Sequence, residues 1–244
     1  MRLTRCHVDI ALATGARVVL PESAAAHLVR VLRLREGDEC ILFNGDGNDH
    51  AARIATAGKR EVSVDLHACH AVENESPLHI TLLQGIARGE KMDLILQKAT
   101  ELGVTSVLPV LAERTEVKLD AERTEKRMAH WRSVMVSACE QSGRARIPAL
   151  APPAALAAAT ANLGGVGLKL ILDPVGEHAL SGLAAPGNHH LAIAIGPEGG
   201  WSPRDRELLR IAGFTGLRLG PRILRTETAG LATIAALQSR FGDL

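Results

Sequence analysis

The feature that most restricts the fold is the rhythm of the last third of the chain, where apolar runs alternate with helical stretches. The runs are LKLILDP, LAIAIGPEGG and TGLRLG, with a helix from Pro203 between the second and third and another beginning near Thr226. Strands separated by helices cannot pair as tight hairpins. They line up in parallel, and the helices cover the faces of the sheet. In such a sheet ligands sit at the carboxyl ends of the strands. Three loops fall there: Leu172-Asp173-Pro174, Gly196 to Gly200, and Leu219 to Arg225. Ser202 stands at a helix cap, Pro203 at the first helical position and Asp205 two residues on, which fixes where the helix after the second loop starts.

Glycine turns between strand and helix often cradle phosphate. Here the spacing is wrong for a nucleotide. No G-x-G-x-x-G follows a strand, and Gly58-Lys59 runs into Arg60 without the upstream glycine of a P-loop. Two such Gly/Pro loops at strand ends nevertheless predict a ligand rather than simple turns.

The rest of the chain divides at the charged, prolyl stretch AVENESP, where the periodicity changes. Before it, a helix over Glu22 to Leu34, a hairpin around Asn44-Gly45-Asp46-Gly47 and the alternating run EVSVDLHA predict a small β-rich module. After it come the strand HITLLQGIA, a helix from Lys91 to Leu102 stopped by Gly103, and the strand VTSVLPVLA. The segment AERTEKRMAHWRSVMVSACEQSG places Met128, Trp131, Met135 and Ala138 at helical spacing, a core stripe. Its polar end, Glu140 to Arg144, is either functional or simply exposed. APPAALAAATANLGG is expected to be a helix with loose ends. The domains are placed at 1–74 and 75–244.

Composition excludes several functions. With 46% hydrophobic and 23% charged residues over 244 positions the chain is an ordinary globular protein. Aromatic content of 2%, with no Tyr, argues against single-strand binding by base stacking. A net charge of +1 gives no global pull toward nucleic acid, so any basic surface must be local. Arg2 and Arg5 form one cluster and Arg30, Arg33 and Arg35 another, the latter either a solvated helix face or a phosphate contact. Cys6, Cys40, Cys69 and Cys139 lack zinc spacing and are expected to be reduced structural thiols. No metal is expected. No stretch approaches the ~18 uninterrupted apolar residues of a membrane span, and a cytoplasmic protein is expected.

The combination of IGPEGGWS with LGPRILRTETA closely resembles the SPOUT methyltransferases. With GEKMDLILQKATELGV and EQSGR upstream, and RLREGDECILFNGDGNDHAARI near the N-terminus, the chain is similar over nearly its whole length to the RsmE-type branch, which methylates N3 of a uridine in 16S ribosomal RNA. The resemblance implies an α/β fold: a C-terminal SPOUT domain with a mainly parallel sheet and a deep trefoil knot, preceded by a small β-rich PUA-like domain. It implies S-adenosylmethionine as cofactor, 16S rRNA in the small ribosomal subunit as partner, and a homodimer to which the apolar final helix contributes unless that stripe is core.

By resemblance the cofactor is surrounded by Leu172 and Pro174, by Gly196, Pro197, Glu198, Gly199 and Gly200, and by Leu219, Gly220, Arg222, Ile223, Leu224 and Arg225, with Thr228 and Ala229 at the start of the final helix. Backbone glycines suit a bent, phosphate-free cofactor because they allow close approach. Arg225 and Glu198 are the residues expected to act in catalysis, and Glu140, Glu227 and Arg144 also stand as candidates for handling the imide proton and its charge. Arg2, Arg5, Arg30, Arg33, Lys91, Lys98 and Arg144 are expected on the RNA. Two other functions fit less of the pattern: a SPOUT ribose 2′-O-methyltransferase acting on rRNA or tRNA, and a non-catalytic RNA-binding protein.

Overall fold

The computed structural model describes residues 3–58, 61–117 and 120–244. They form two compact units, one of residues 1–75 with 136–147 and one of 76–135 with 148–244.

In the first unit a five-stranded sheet is built from β1 (Arg5–His7), β2 (Arg17–Val19), β3 (Glu39–Phe43), β4 (Asn48–Ala57) and β5 (Val62–Ala71), in the order β1-β3-β4-β5-β2. The β1-β3 pair is parallel and the others are antiparallel. Asn44 to Gly47 makes the β3-β4 turn, as the sequence requires. Strand alternation puts His50, Ala52 and Ile54 of β4 inside. Leu28, Cys40, Leu42 and Val64 complete a dry core.

The helix expected to reach Leu34 stops sooner. α1 spans only Glu22–Ala25 and widens into a turn of π-helix over Ala26–Val31. Arg33 then adopts a left-handed conformation (φ 60) and the Leu34 N–H returns to Leu28 O at 3.0 Å, a Schellman-type end. Chain reversal at Arg33, without a glycine to announce it, is why helical periodicity overran.

Val136–Ile147, which follow the expected boundary in sequence, group with the first compact unit, because two buried arginines bind that segment to it. Arg5, 6% exposed, pairs with Asp49 at 2.6 Å, donates to Cys139 O at 2.7 Å and Arg144 O at 3.2 Å, and lies 4.5 Å over the Phe43 ring. Arg144, 4% exposed, forks onto Glu75. Glu140 accepts the His7 N–H at 3.0 Å, and Asn74 donates to Gly143 O at 3.0 Å. In the polar helix end Glu140 and Arg144 therefore serve as a structural joint, while Gln141 is exposed. Burial pushes the Cys6 thiol up to about 12, helped by Glu140, and the Cys40 thiol to about 12 as well, so both are inert; Cys69 is exposed.

The second unit contains β6 (His79–Gly85), α2 (Glu90–Glu101), β7 (Ser106–Leu111), most of α3 (Ala121–Ser142), β8 (Ala149–Leu150), β9 (Ala154–Ala155) and α4 (Leu156–Ala161). β10 (Leu168–Leu172), β11 (His178–Ala179), β12 (His190–Ile195), α5 (Pro203–Ile211), β13 (Thr215–Arg218) and α6 (Thr226–Phe241) follow. The sheet order is β11-β13-β10-β12-β6-β7-β8, with β9 also on β7, and every pairing is parallel.

β12 shows why its sequence is apolar throughout. Leu191, Ile193 and Ile195 face Met92 and Ile95 of α2, Trp131 of α3 and Ile234 and Leu237 of α6. Ala192 and Ala194 face the opposite layer, with Leu156 of α4 and Leu209 of α5. Both faces are covered, so period-two polarity is lost. Ile234 and Leu237 are fully buried, which makes the apolar stripe of α6 core. The Ala-rich segment is helical only over Leu156–Ala161, because β9 claims the residues before it. Among the described residues no helix is long and apolar enough to cross a membrane.

Candidate active site

The three loops meet. Residues after β10, between β12 and α5, and between β13 and α6 line one cavity of about 460 Å³. Each loop is set by local chemistry. Ser202 accepts the Asp205 N–H at 3.0 Å and Asp205 accepts the Ser202 N–H at 3.1 Å, a capping box that starts α5 directly after the second loop. The third loop turns at Gly220, whose φ of 77 suits glycine. Thr226 joins loop to loop: its Oγ1 donates to Gly196 O at 2.6 Å and accepts from Gln84 Nε2 at 3.0 Å.

Of the residues expected around a cofactor, all but Thr228 line this cavity. Thr228 is exposed on the far side of the helix start. Thr226 and Ala229, three apart on α6, take the inner face instead. The Gly199 backbone lies close to a protein neighbour: a Cβ there would sit 3.0 Å from Arg114 Cβ.

Charge is concentrated here. Glu198, expected to act in catalysis, accepts the Arg88 N–H at 3.0 Å and lies 3.3 Å from Lys91 Nζ. Partial burial raises its pKa, but the Arg88 N–H, its own N–H and Lys91 outweigh this and hold it below the usual carboxylate range. A carboxylate so held is a loop anchor and a weak base. Glu227 differs, because its Oε2 is buried without a hydrogen-bond partner among the described residues, with Lys91 Nζ at 4.0 Å. Arg222 and Arg225 are exposed on the third loop with no carboxylate partner among the described residues.

The residues expected on RNA scatter. Lys91 belongs to the cavity. Lys98 pairs with Glu101 at 2.9 Å on α2. Arg5 and Arg144 are buried structural residues, as described above, and are not available to phosphate. Arg30 and Arg33 are exposed and unpaired among the described residues. Arg2 lies outside the described residues. Sequence reasoning missed Arg114, Trp201, Arg206 and Thr226 as cavity residues; only the capping-box position of Arg206, one residue past Asp205, offered a signal.

Residues 74–238 match the family model described as an RNA methyltransferase domain, and residues 20–66 match an RNA methyltransferase PUA domain. The chain belongs to this RNA methyltransferase family. The methyltransferase is 31% identical over its whole length to "Ribosomal RNA small subunit methyltransferase E" of Buchnera aphidicola (Schizaphis graminum), covering 98% of it. It is 31% identical to the protein of that name from Bacillus subtilis, over 86% of this chain and 85% of the relative. Among solved structures it resembles the Neisseria gonorrhoeae ribosomal RNA small subunit methyltransferase E bound to S-adenosyl methionine, at 38% identity and a TM-score of 0.93 with each chain fully covered. A Legionella pneumophila protein solved with bound SAM gives 38% identity and a TM-score of 0.95, again over both full chains. The second unit's parallel sheet, the methyltransferase domain and the PUA module thus agree with the α/β architecture expected from the sequence.

Proposed function

We propose that this methyltransferase uses S-adenosylmethionine to methylate N3 of a uridine in the 16S RNA of the small ribosomal subunit. The observation that carries the reading is the convergence of three strand-end loops on one cavity, in a chain whose full-length relatives are named for small-subunit rRNA methylation. The cavity suits this cofactor by its chemistry. Leu172, Leu219 and Leu224 offer apolar surface for an adenine, main-chain groups of Gly196 to Gly200 offer hydrogen bonds, and two buried polar atoms, Trp201 Nε1 and Glu227 Oε2, lack protein partners among the described residues.

When bound, the cofactor supplies an electrophilic methyl group on a sulfonium. The chain's task is to make the imide nitrogen nucleophilic and to hold it in line. Glu227 takes the N3 proton, since its Oε2 has unused acceptor capacity, while Glu198 keeps Lys91 and the second loop in place. Arg225 stabilises the imide anion, whose charge spreads over the flanking carbonyl oxygens, and contributes about a hundredfold. Arg30 and Arg33 position the RNA through phosphates, the role most protein–nucleic acid contacts play.

The same reading includes the trefoil knot of SPOUT domains, a cytoplasmic location and a homodimer. Val175 and Ile223, each 84% exposed beside a site loop, support an apolar contact with a second copy. Sedimentation at micromolar concentration tests the dimer, and a fully active monomer overturns it. The function is tested by incubating undermethylated small subunits with labelled S-adenosylmethionine and analysing the nucleosides. Label in 3-methyluridine is expected. Label in a ribose-methylated nucleoside, or none, overturns the proposal.

A further inference from the structure

Two guanidiniums that the sequence keeps ninety-odd residues apart share one mount. Arg114 follows β7 in a turn closed by the Thr115 N–H on Ala112 O at 3.0 Å and by the Ala112 N–H on Thr115 Oγ1 at 3.0 Å. The next amide in that turn, Glu113 N–H, donates to both carboxylate oxygens of Asp205 at 3.4 and 3.3 Å. Asp205 is the buried capping residue of α5, and Arg206 follows it directly. The turn and the helix start are therefore tied at one carboxylate. Both arginines line the cavity.

Only one of them has a partner that carries a counter-charge. Arg114 Nη1 donates to Gly199 O at 3.0 Å, a main-chain acceptor without net charge. Arg206 is ion-paired with Asp173, which lines the same cavity. Burial, followed by the nearby Arg114 charge, lowers the Arg206 pKa from its ordinary value. A guanidinium does not escape such repulsion by losing its proton, and Asp173 offsets only one of the two charges, so one positive charge is left over for a further anion. Across the whole lining, Lys91, Arg114, Arg206, Arg222 and Arg225 face Asp173, Glu198 and Glu227, an excess of two positive charges (five against three). One more donor wants an acceptor: Trp201 Nε1 lines the same cavity, buried and without a hydrogen-bond partner among the described residues.

We propose that Arg114 and Arg206 form a clamp for a single oxyanion group in this cavity. Planar guanidinium forks match the paired oxygens of a carboxylate or a phosphate, and a fixed pair on a capped helix start is preorganised to hold one. The inference rests on the reading that the cavity serves S-adenosylmethionine and RNA, and two sources of the oxyanion follow from it: the carboxylate of the cofactor's amino-acid end, or a backbone phosphate beside the target nucleotide.

Arg114→Gln tests it, because the amide retains a donor for Gly199 O while the charge and fork are lost. Thermal melts of variant and wild type should coincide. Calorimetry with S-adenosylmethionine and with its decarboxylated analogue forms one arm; binding of a small-subunit rRNA fragment across a salt series forms the other. For a cofactor carboxylate, the variant binds S-adenosylmethionine roughly tenfold more weakly, and binds the decarboxylated analogue and the RNA as the wild type does. For a phosphate, RNA affinity falls roughly tenfold and its salt dependence becomes shallower by about one contact, with both cofactor affinities intact. Arg114→Lys restores part of the loss by charge alone. Unchanged affinities in every arm, or equal loss of the cofactor and its decarboxylated analogue, overturns the clamp. A wild-type chain that does not bind S-adenosylmethionine at all removes the reading of the cavity itself, a result separable from the behaviour of the variant.

Discussion

Arginine serves opposite ends in the two units. In the first, Arg5 and Arg144 are nearly inaccessible, and both are held by carboxylates, with Arg5 also donating to main-chain carbonyls. In the second, Arg222 and Arg225 stand exposed on a glycine-turned loop with no carboxylate partner among the described residues. The first pair closes a joint and the second pair is available to a ligand. The difference teaches that a basic residue is informative about function only once its counter-charge is known, because a guanidinium inside a satisfied network has no donors to offer.

The sharpest way to break this comparison is to remove one arginine of each kind. Arg144→Ala leaves Glu75 beside a buried joint without its partner, and should destabilise the chain by about 3 kcal/mol in denaturant unfolding. Arg225→Ala should unfold at the wild-type denaturant concentration, yet lower turnover at saturating RNA by about a hundredfold. If the two variants exchange these phenotypes, the division between structural and functional arginines is wrong.

How far the sequence revealed this division depends on what carried the signal. The loops at the ends of β10, β12 and β13 were legible, because apolar runs, glycines and a helix cap are all local features, and together they placed the cavity. Arg5 and Arg144 were not. Their burial depends on Asp49, Glu75 and the Cys139 carbonyl, up to 134 positions away in the chain, and no local pattern encodes those pairings. Arg114 was hidden for the same reason: it reaches the cavity through Asp205 and Gly199, which are its neighbours only after the parallel sheet forms. Thr228 does not line the cavity, because it lies two residues past Thr226 on the helix, enough to turn its side chain outward.

The comparison sharpens in Arg30 and Arg33 of the first unit, proposed to contact RNA, which are exposed like Arg225 but far from the cavity in sequence. Arg30→Ala with Arg33→Ala should leave S-adenosylmethionine affinity and turnover at saturating RNA unchanged. RNA affinity should fall by about tenfold, with a salt slope shallower by roughly 1.5, because two phosphate contacts no longer release counterions. Filter binding across a salt series measures both. A loss of affinity with the slope retained would mean that the two side chains shape the module instead of touching phosphate.

The smallest expected effect contrasts two carboxylates, Glu75 in the buried joint and Glu198 in the cavity. The Lys91–Glu198 pair is partly solvated, so Glu198→Gln at neutral pH should change unfolding stability by at most about 1 kcal/mol, the range of exposed ion pairs. Its signature lies in acid. The Glu198 pKa is lowered from the ordinary 4.5, because the Arg88 N–H, its own N–H and Lys91 outweigh the opposing effect of burial. A carboxylate depressed in the folded state contributes fully above its unfolded value of 4.5 and loses that contribution as pH falls through the lower folded value. Acid titration of the wild type should therefore loosen the second loop only below 4.5, visible as movement of the Gly199 and Gly200 amide resonances. Glu198→Gln should show the loosened positions already at neutrality and no such step. An identical acid step in the variant would assign the transition to another carboxylate and leave Glu198 without its anchoring role.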